Sequence, residues 1–380
     1  MSEYWDGEDH VVTRPGNRIY KGLQIVRYKD WESTPFLRVR TLGEGRFGQV
    51  EEVRSKRDQN VYACKTFKVG QQTAEELRED LLDEFIKVRR VTISDDVVRA
   101  VTAFVIPDQG QFSLVLEPVA SEGDLDQFMK EYRNTDRPVT ISTFQAGDEM
   151  YVRGNNPDER DLQATPTLLN PFYSLSKALS AIHAHGIRHR DIKPANCLVH
   201  KGKVLLSDFG FARLYDGAEK YGMGSNGNPG IKNYRYRAPE VLKGKYRDEA
   251  TDVFSLGCTF VEILATLQAH TSRVDPWPAE EKESEAERIQ VEVYANDIER
   301  IVDGISNPIK SRAPHYKLYR PDLSPIYKVV RSMMHPSWRK RPNANELRHM
   351  LVSARVDETN RGQPVVHDSD SSGLSKSRRR

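Results

Sequence analysis

Cysteine is scarce in this sequence, with three residues in 380: Cys64, Cys197 and Cys258. An odd, small number, each set in an apolar segment, argues against a disulfide framework and for a reducing compartment. Cysteine in such settings behaves as a small hydrophobe, so all three are read as core residues. Net charge is scarce too: 57 Lys and Arg against 55 Asp and Glu leave a formal +2. That is too little to gather nucleic acid or a membrane surface by a global field. No run of about 18 or more apolar residues occurs, so no helical membrane span is expected. The first ten residues, MSEYWDGEDH, are acidic and carry neither the apolar run of a secretory signal nor a glycine after the methionine. Together these absences predict a soluble, cytoplasmic protein. The basic end Lys376-Ser377-Arg378-Arg379-Arg380 leaves a nuclear address as the lesser alternative to a solvated tail.

What is present is an ordinary globular balance, 38% hydrophobic and 29% charged, over a length that suits two lobes plus tails. Residues 1–34 are polar and weakly periodic and read as an N-terminal extension, one that could pack on the body. From Phe36 onward, the segments Phe36–Leu42, Gly48–Arg54 and Asn60–Lys68 cluster apolar and β-branched residues between turns, as antiparallel strands do. Leu77, Leu81, Phe85 and Val88 follow at helical spacing. Two more strand-like segments, Val97–Ile106 and Phe112–Val119, flank the turn Pro107-Asp108-Gln109-Gly110. A helix begins at Asp124, and residues 133–166 read as a polar insertion. Leu168, Phe172, Leu175, Leu179 and Ile182 then form an amphipathic stripe that stops at Gly186. Thr251–Leu264 is apolar nearly all round, a helix to be buried; 276–303 also reads as helix. The expected divisions are an extension 1–34, a body 35–353 and a disordered tail 354–380. Within the body, a smaller lobe covers about 35–118 and a larger one about 119–353.

Several polar constellations stand out against this frame. Gly43-Glu44-Gly45-Arg46-Phe47-Gly48 lies between two strand segments, where missing Cβ atoms let backbone N–H groups approach a phosphate. A dinucleotide fingerprint or a plain hairpin shows the same spacing, but a dinucleotide site opens a helix and Gln49–Arg54 reads as strand. Lys65 stands in the apolar strand Tyr62-Ala63-Cys64-Lys65, where it either meets an anion or reaches solvent at an edge. Its candidate partner is Glu84, with Glu76 and Glu79 as rivals. His189-Arg190-Asp191-Ile192-Lys193-Pro194-Ala195-Asn196 packs an acceptor, a cation and a metal-ligand amide into one loop. Val204–Ser207 reads as a buried strand delivering Asp208-Phe209-Gly210, a carboxylate suited to Mg²⁺ on a movable segment.

In order and spacing these motifs, with Ala238-Pro239-Glu240, resemble the signature set of eukaryotic protein kinases, from about Phe36 to about Leu351. The resemblance implies a bilobal α+β fold: a small antiparallel-sheet N-lobe with one main helix, and a larger, mainly helical C-lobe. It implies ATP and Mg²⁺ as cofactors and proteins as substrates. Gly43, Gly45 and Gly48 would cover the phosphates, and Lys65, paired with Glu84, would hold the α- and β-phosphates. Asp208 and Asn196 would hold Mg²⁺, Asp191 would take the substrate hydroxyl's proton, and Lys193 would steady the γ-phosphate. Adenine would lie between Leu42, Val50, Ala63 and Leu198, bonded to the backbone of Glu117 and Val119, with Leu116 beside it. Asp252 would brace the catalytic loop, and Arg341 would pair with Glu240.

Lys193 after Asp191 resembles serine/threonine rather than tyrosine kinases. One position departs from them: Asn233 stands where those kinases usually carry threonine. Arg190 and Arg213 offer a basic pocket for a phosphate on Tyr215, Tyr221, Ser225 or Tyr234; a loop already ordered by Asp216 or Glu219 is an equal alternative. The rival from another class is a pseudokinase that binds partners without phosphoryl transfer. A kinase-like fold acting on a small molecule is the other, disfavoured by Ala238-Pro239-Glu240 and Arg341.

Overall fold

The computed structural model describes residues 25–45, 48–68, 84–91, 94–134, 157–214, 234–242, 248–272 and 323–354. Six strands form one sheet: β1 (Ile25–Arg27), β2 (Phe36–Gly45), β3 (Gly48–Ser55), β4 (Val61–Lys68), β5 (Arg99–Ile106) and β6 (Gln111–Glu117). Their order is β1-β5-β6-β4-β3-β2, antiparallel except where β1 runs parallel to β5. The turn between β5 and β6 closes on Gly110 at φ 58°, a left-handed position that glycine takes without strain. Helix α1, residues 84–90, packs Phe85, Ile86 and Val88 into the core; Leu77 and Leu81 lie outside the described residues.

Residues 25–34, grouped by sequence with an extension, belong to this lobe. Ile25, Val26 and Arg27 pair with Ala103, Phe104 and Val105, and the Tyr28 N–H bonds Val105 O at 2.9 Å. Beyond the strand, Tyr28 and Trp31 pack on Phe104 at ring distances of 5.6 and 5.8 Å, and Phe36 stacks on it at 6.0 Å. The Arg38 guanidinium lies 4.0 Å over the Trp31 ring. The Lys56 Nζ donates to the carbonyls of Glu32 and Thr34 at 2.6 and 2.7 Å. These groups seal the outer face of the sheet over Val53, Cys64, Ile106 and Val115. A strand of three residues is too short to show alternation, which is why sequence periodicity passes over it.

The second lobe contains α2 (Leu125–Asn134), α3 (Pro157–Ala184), β7 (Ile187–Arg188), β8 (Cys197–His200), β9 (Lys203–Leu206), β10 (Arg213–Leu214), α4 (Pro239–Leu242), α5 (Glu249–Ser272), α6 (Ser324–Met333) and α7 (Ala344–Ser353). Because α3 starts at Pro157, the last residues of the expected 133–166 insertion are helical. The expected stripe is buried at Phe172, Leu175, Leu179 and Ile182, and the chain turns at Gly186 with φ 69°. From Thr251 to Thr266 helix α5 is buried at every position but Ser255, with Asp252 and Glu262 among its buried residues, and it forms the centre of the lobe. At Gly257 it comes so close to α6 that an added Cβ would lie 2.7 Å from Met334 Cγ. A capping box of Asn343 and Glu346 starts α7. The helix expected over 276–303 and the tail from 355 lie outside the described residues. The lobes also meet where Leu206 exchanges backbone bonds with Asp96 and Val98, at 2.9 and 3.0 Å.

Arg341 is fully enclosed and makes a two-pronged bond to Glu240, at 2.6 and 2.9 Å. Removing one partner of a buried ion pair strands the other charge. Glu240→Ala is therefore expected to lower stability by about 3–5 kcal/mol in urea unfolding. Trp31→Ala is expected to lose about 2–3 kcal/mol by the same measurement, less than a fully buried tryptophan because Trp31 is half-buried. An unchanged midpoint for Trp31→Ala would place residues 25–34 outside the folded lobe.

Candidate active site

The hairpin β8–β9 sets the geometry of the site. Cys197 pairs with Leu206, so Asn196 and Ser207 face each other at the open end, and Asp208 follows directly. Ser207 fastens the junction, its N–H and Oγ both donating to Asn196 O at 2.9 and 2.8 Å. Two non-glycine residues here hold positive φ, Arg190 at 70° and Asp208 at 60°. Such backbone persists only where its surroundings over-determine it.

For Arg190 the constraint is Asp252, on the first turn of α5 and 1% exposed. Its carboxylate accepts from the backbone N–H groups of His189 and Arg190, both at 2.8 Å, and contacts His183 Nε2 at 3.0 Å. The His189 ring lies 2.9 Å from Ser207 O and edge-on to Phe209, which is fully buried. Loop and strand end are thus fixed to one frame.

Asp191 projects from that loop. Lys193 Nζ donates to its Oδ2 at 2.7 Å, and Asn196 Nδ2 donates to the same oxygen at 2.8 Å and to Asp191 O at 2.7 Å. Across the cleft, Lys65 Nζ sits 2.9 Å from both Glu84 Oε1 and Asp208 Oδ1. Of the three carboxylates considered for Lys65, Glu84 is the one found; Glu76 and Glu79 lie outside the described residues. Burial works against the Lys65 ammonium, but Glu84 and Asp208 outweigh it and hold its pKa above that of an ordinary lysine. Burial pushes the Glu84 carboxyl up, with Lys65 opposing. At Asp208 burial is outweighed by Lys65, and its pKa is lowered.

Strand register places the apolar candidates. Val50 pairs with Lys65, Lys65 with Leu114, and Ala63 with Leu116. Directly opposed residues share a face, so this row looks away from the Phe104 cluster and toward Asp208. Leu42, Val50, Ala63, Leu116 and Leu198 are half-buried, whereas Val53, Cys64, Val115 and Val199 on the same strands are fully buried. Glu117 and Val119 follow at the link between lobes, with Pro118, which has no N–H, between them. Gly43 and Gly45 pair with Val50 and Gly48 across the β2–β3 hairpin. Gly48 is obligatory: at φ 142° an added Cβ would lie 1.9 Å from Thr66 O.

A family model described as protein kinase domain matches residues 36–352. The chain belongs to the protein kinase superfamily. Relatives include "Cyclin-dependent kinase-like 5" of Homo sapiens, 30% identical over 223 residues, which cover 58% of this chain and 19% of that protein. "Probable serine/threonine-protein kinase nek2" of Dictyostelium discoideum is 27% identical over 322 residues, 83% of this chain and 62% of the relative. "MAPK/MAK/MRK overlapping kinase" of Homo sapiens is 28% identical over 228 residues, 60% and 45% of the two chains. The chain spans less than two thirds of the length of each of these relatives.

The chain has the expected bilobal α+β fold, with a small sheet lobe and a larger helical one. No described helix is long and apolar enough to cross a membrane. ATP and Mg²⁺ are what a protein kinase domain uses in general, and the residues fit them. A buried ammonium held charged suits phosphate oxygens, and one carboxylate plus one amide oxygen suits Mg²⁺, which keeps water and phosphate in its other positions. Among the described residues no cluster of three or more His, Cys, Asp or Glu offers a metal cage. Burial raises the pKa of Cys64, to about 11, and that of Cys197, which disfavours the thiolate at both. Asn233, Tyr215, Tyr221 and Ser225, and the side chain of Tyr234, lie outside the described residues. Two contributors escaped the sequence reading. His183 is marked only by its place one turn before Gly186. Lys87 is marked only by its spacing of three from Glu84.

Asp252 is held below the ordinary carboxylate range because His183, His189 and the Arg190 N–H outweigh the effect of burial. Its contribution to stability is therefore full above the ordinary aspartate pKa and is lost as pH falls through the lower folded value. Asp252→Asn is expected to be less stable at neutral pH, and its unfolding free energy should fall less steeply than the parent's below about pH 4. Parallel pH profiles of the two proteins would show that folding does not lower the Asp252 pKa.

Proposed function

We propose that this kinase transfers the γ-phosphoryl group of ATP to serine or threonine hydroxyls of protein substrates. The observation that carries the reading is Asp191. Both of its side-chain bonds fall on Oδ2, which leaves Oδ1 to accept a hydroxyl proton. The loop that presents it is locked by Asp252 opposite the Lys65, Glu84 and Asp208 cluster.

In this reading Asp191 orients the acceptor hydroxyl and takes its proton as the oxygen bonds the γ-phosphorus. The bond from that phosphorus to the bridging oxygen breaks, and ADP leaves with the electron pair. Asp208 and Asn196 would hold Mg²⁺, which would neutralise phosphate charge when bound. Lys65, kept in place by Glu84, binds the α- and β-phosphates, and Lys193 binds the γ-phosphate from the Asp191 side. Gly43, Gly45 and Gly48 cover the phosphates through backbone N–H groups. The half-buried row of Leu42, Val50, Ala63, Leu116 and Leu198 takes the adenine, with the backbone of Glu117 and Val119 at its edge. Lys193 next to Asp191 and the names of the relatives support a serine/threonine acceptor.

The test is transfer from labelled ATP with Mg²⁺ to a mixed Ser, Thr and Tyr peptide library. Incorporation is expected on Ser or Thr, with Asp191→Asn lowering kcat by about 10²–10⁴-fold and Asp208→Asn abolishing transfer. Incorporation confined to Tyr would overturn the acceptor class. Absence of transfer, with thermal stabilisation by ATP, would make the chain a nucleotide-binding pseudokinase.

A further inference from the structure

Lys87 is among the largest fully buried side chains of the described residues, at 1% exposure. Carrying a lysine charge into the interior is costly unless the charge is well partnered. Its Nζ donates to Ala212 O at 2.5 Å, and Arg213 Nη1 reaches the same oxygen at 3.1 Å. Ala212 is itself buried and ends the 3₁₀ turn Phe209–Phe211, its N–H bonded to Phe209 O at 3.0 Å. The acceptor is thus a rigid point four residues beyond Asp208.

Lys87 follows Glu84 by three residues on α1, so the two side chains share a face. Helix α1 is therefore tied twice to the segment leaving Asp208: through Glu84 and Lys65 to Asp208, and through Lys87 to Ala212. A methionine would fill the same volume without the cost of burying charge. Packing alone does not account for a lysine here, whereas an ammonium can make the directional bond to the Ala212 carbonyl. Its charge also opposes the upward push that burial exerts on Glu84.

We propose that Lys87 is a positioning residue for phosphoryl transfer, fixing α1 against the turn after Asp208 in the one register where Lys65 bridges Glu84 and Asp208. The proposal rests on the reading that this chain transfers phosphate.

The experiment is a double-substitution cycle in the full chain: Lys87→Met, Glu84→Gln and the pair. It is read by kcat, by thermal melting and by hydrogen–deuterium exchange over 84–90 and 209–214. Lys87→Met is expected to lower kcat about tenfold in the parent and less than about twofold in the Glu84→Gln background, because both residues act through one geometry. Exchange should rise in both segments together while the melting temperature holds, and Lys87→Arg should recover most of kcat. Equal losses in both backgrounds, or unchanged exchange over 209–214, would overturn the proposal. If the parent transfers no phosphate, the functional reading fails and exchange alone decides the role of Lys87. If Lys87→Met does not fold, Lys87→Gln takes its place in the cycle.

Discussion

The ammonium of Lys65, 2.9 Å from carboxylates on two different elements, is the point at which three stretches of chain must agree. It lies on the central strand β4, Glu84 on α1, and Asp208 just beyond β9. A lone buried lysine would lose its proton, and a lone buried glutamate would gain one. Here each charge makes the others tolerable, so the cluster exists only when the sheet, the helix and the second lobe are all in position. A site that assembles in this way is sensitive to relative placement: displacing α1 removes one carboxylate and leaves Lys65 with the other.

Asp252 does for the second lobe what Lys65 does for the first. Its one carboxylate collects two backbone N–H groups and a histidine, which fixes the left-handed backbone at Arg190. Strain stored in a loop persists only if something rigid holds it, and α5, buried at every position but Ser255 from Thr251 to Thr266, is that support. Arg341 anchors the other flank, joining Glu240 to the carbonyls of Ala250 and His335. The residues facing the cleft are thereby set by contacts that face away from it.

Much of this was legible in the sequence because the chemistry is local there. Asp191, Lys193 and Asn196 fall within six residues, and a lysine inside an apolar strand calls for an anion. The stripe ending at Ile182 and the burial of Thr251–Leu264 follow from periodicity alone. Other features were hidden for physical reasons. Strand β1 has three residues and pairs with a partner some 80 positions along the chain, so nothing local announces it. Lys87 looks like an ordinary polar residue beside an apolar stripe, because its acceptor is a backbone carbonyl of an alanine 125 positions away. The role of His183 depends on a carboxylate 69 positions on. Periodicity reports which face is buried, not which buried groups meet.

The two faces of the sheet are covered differently. Residues 25–34 and Phe36 seal the outer face with aromatic rings over Phe104, whereas on the opposite face Leu114 and Ala103 are buried and Val50, Ala63 and Leu116 stay half-buried. Covering one face and only part of the other stabilises the lobe without packing its cleft shut. That separation lets the inner row of Val50, Ala63 and Leu116 remain available to a planar apolar ligand while the strands beneath it stay rigid. It also places the polar decisions of the lobe, Lys65, Glu84 and Lys87, on the only side where a second lobe can answer them. The position of α1 is then set by two kinds of contact: Phe85 and Val88 share one apolar core with Leu206 and Phe209, and directional bonds run from Glu84 through Lys65 to Asp208 and from Lys87 to Ala212. Directional bonds specify one register far more sharply than apolar packing, which tolerates sliding.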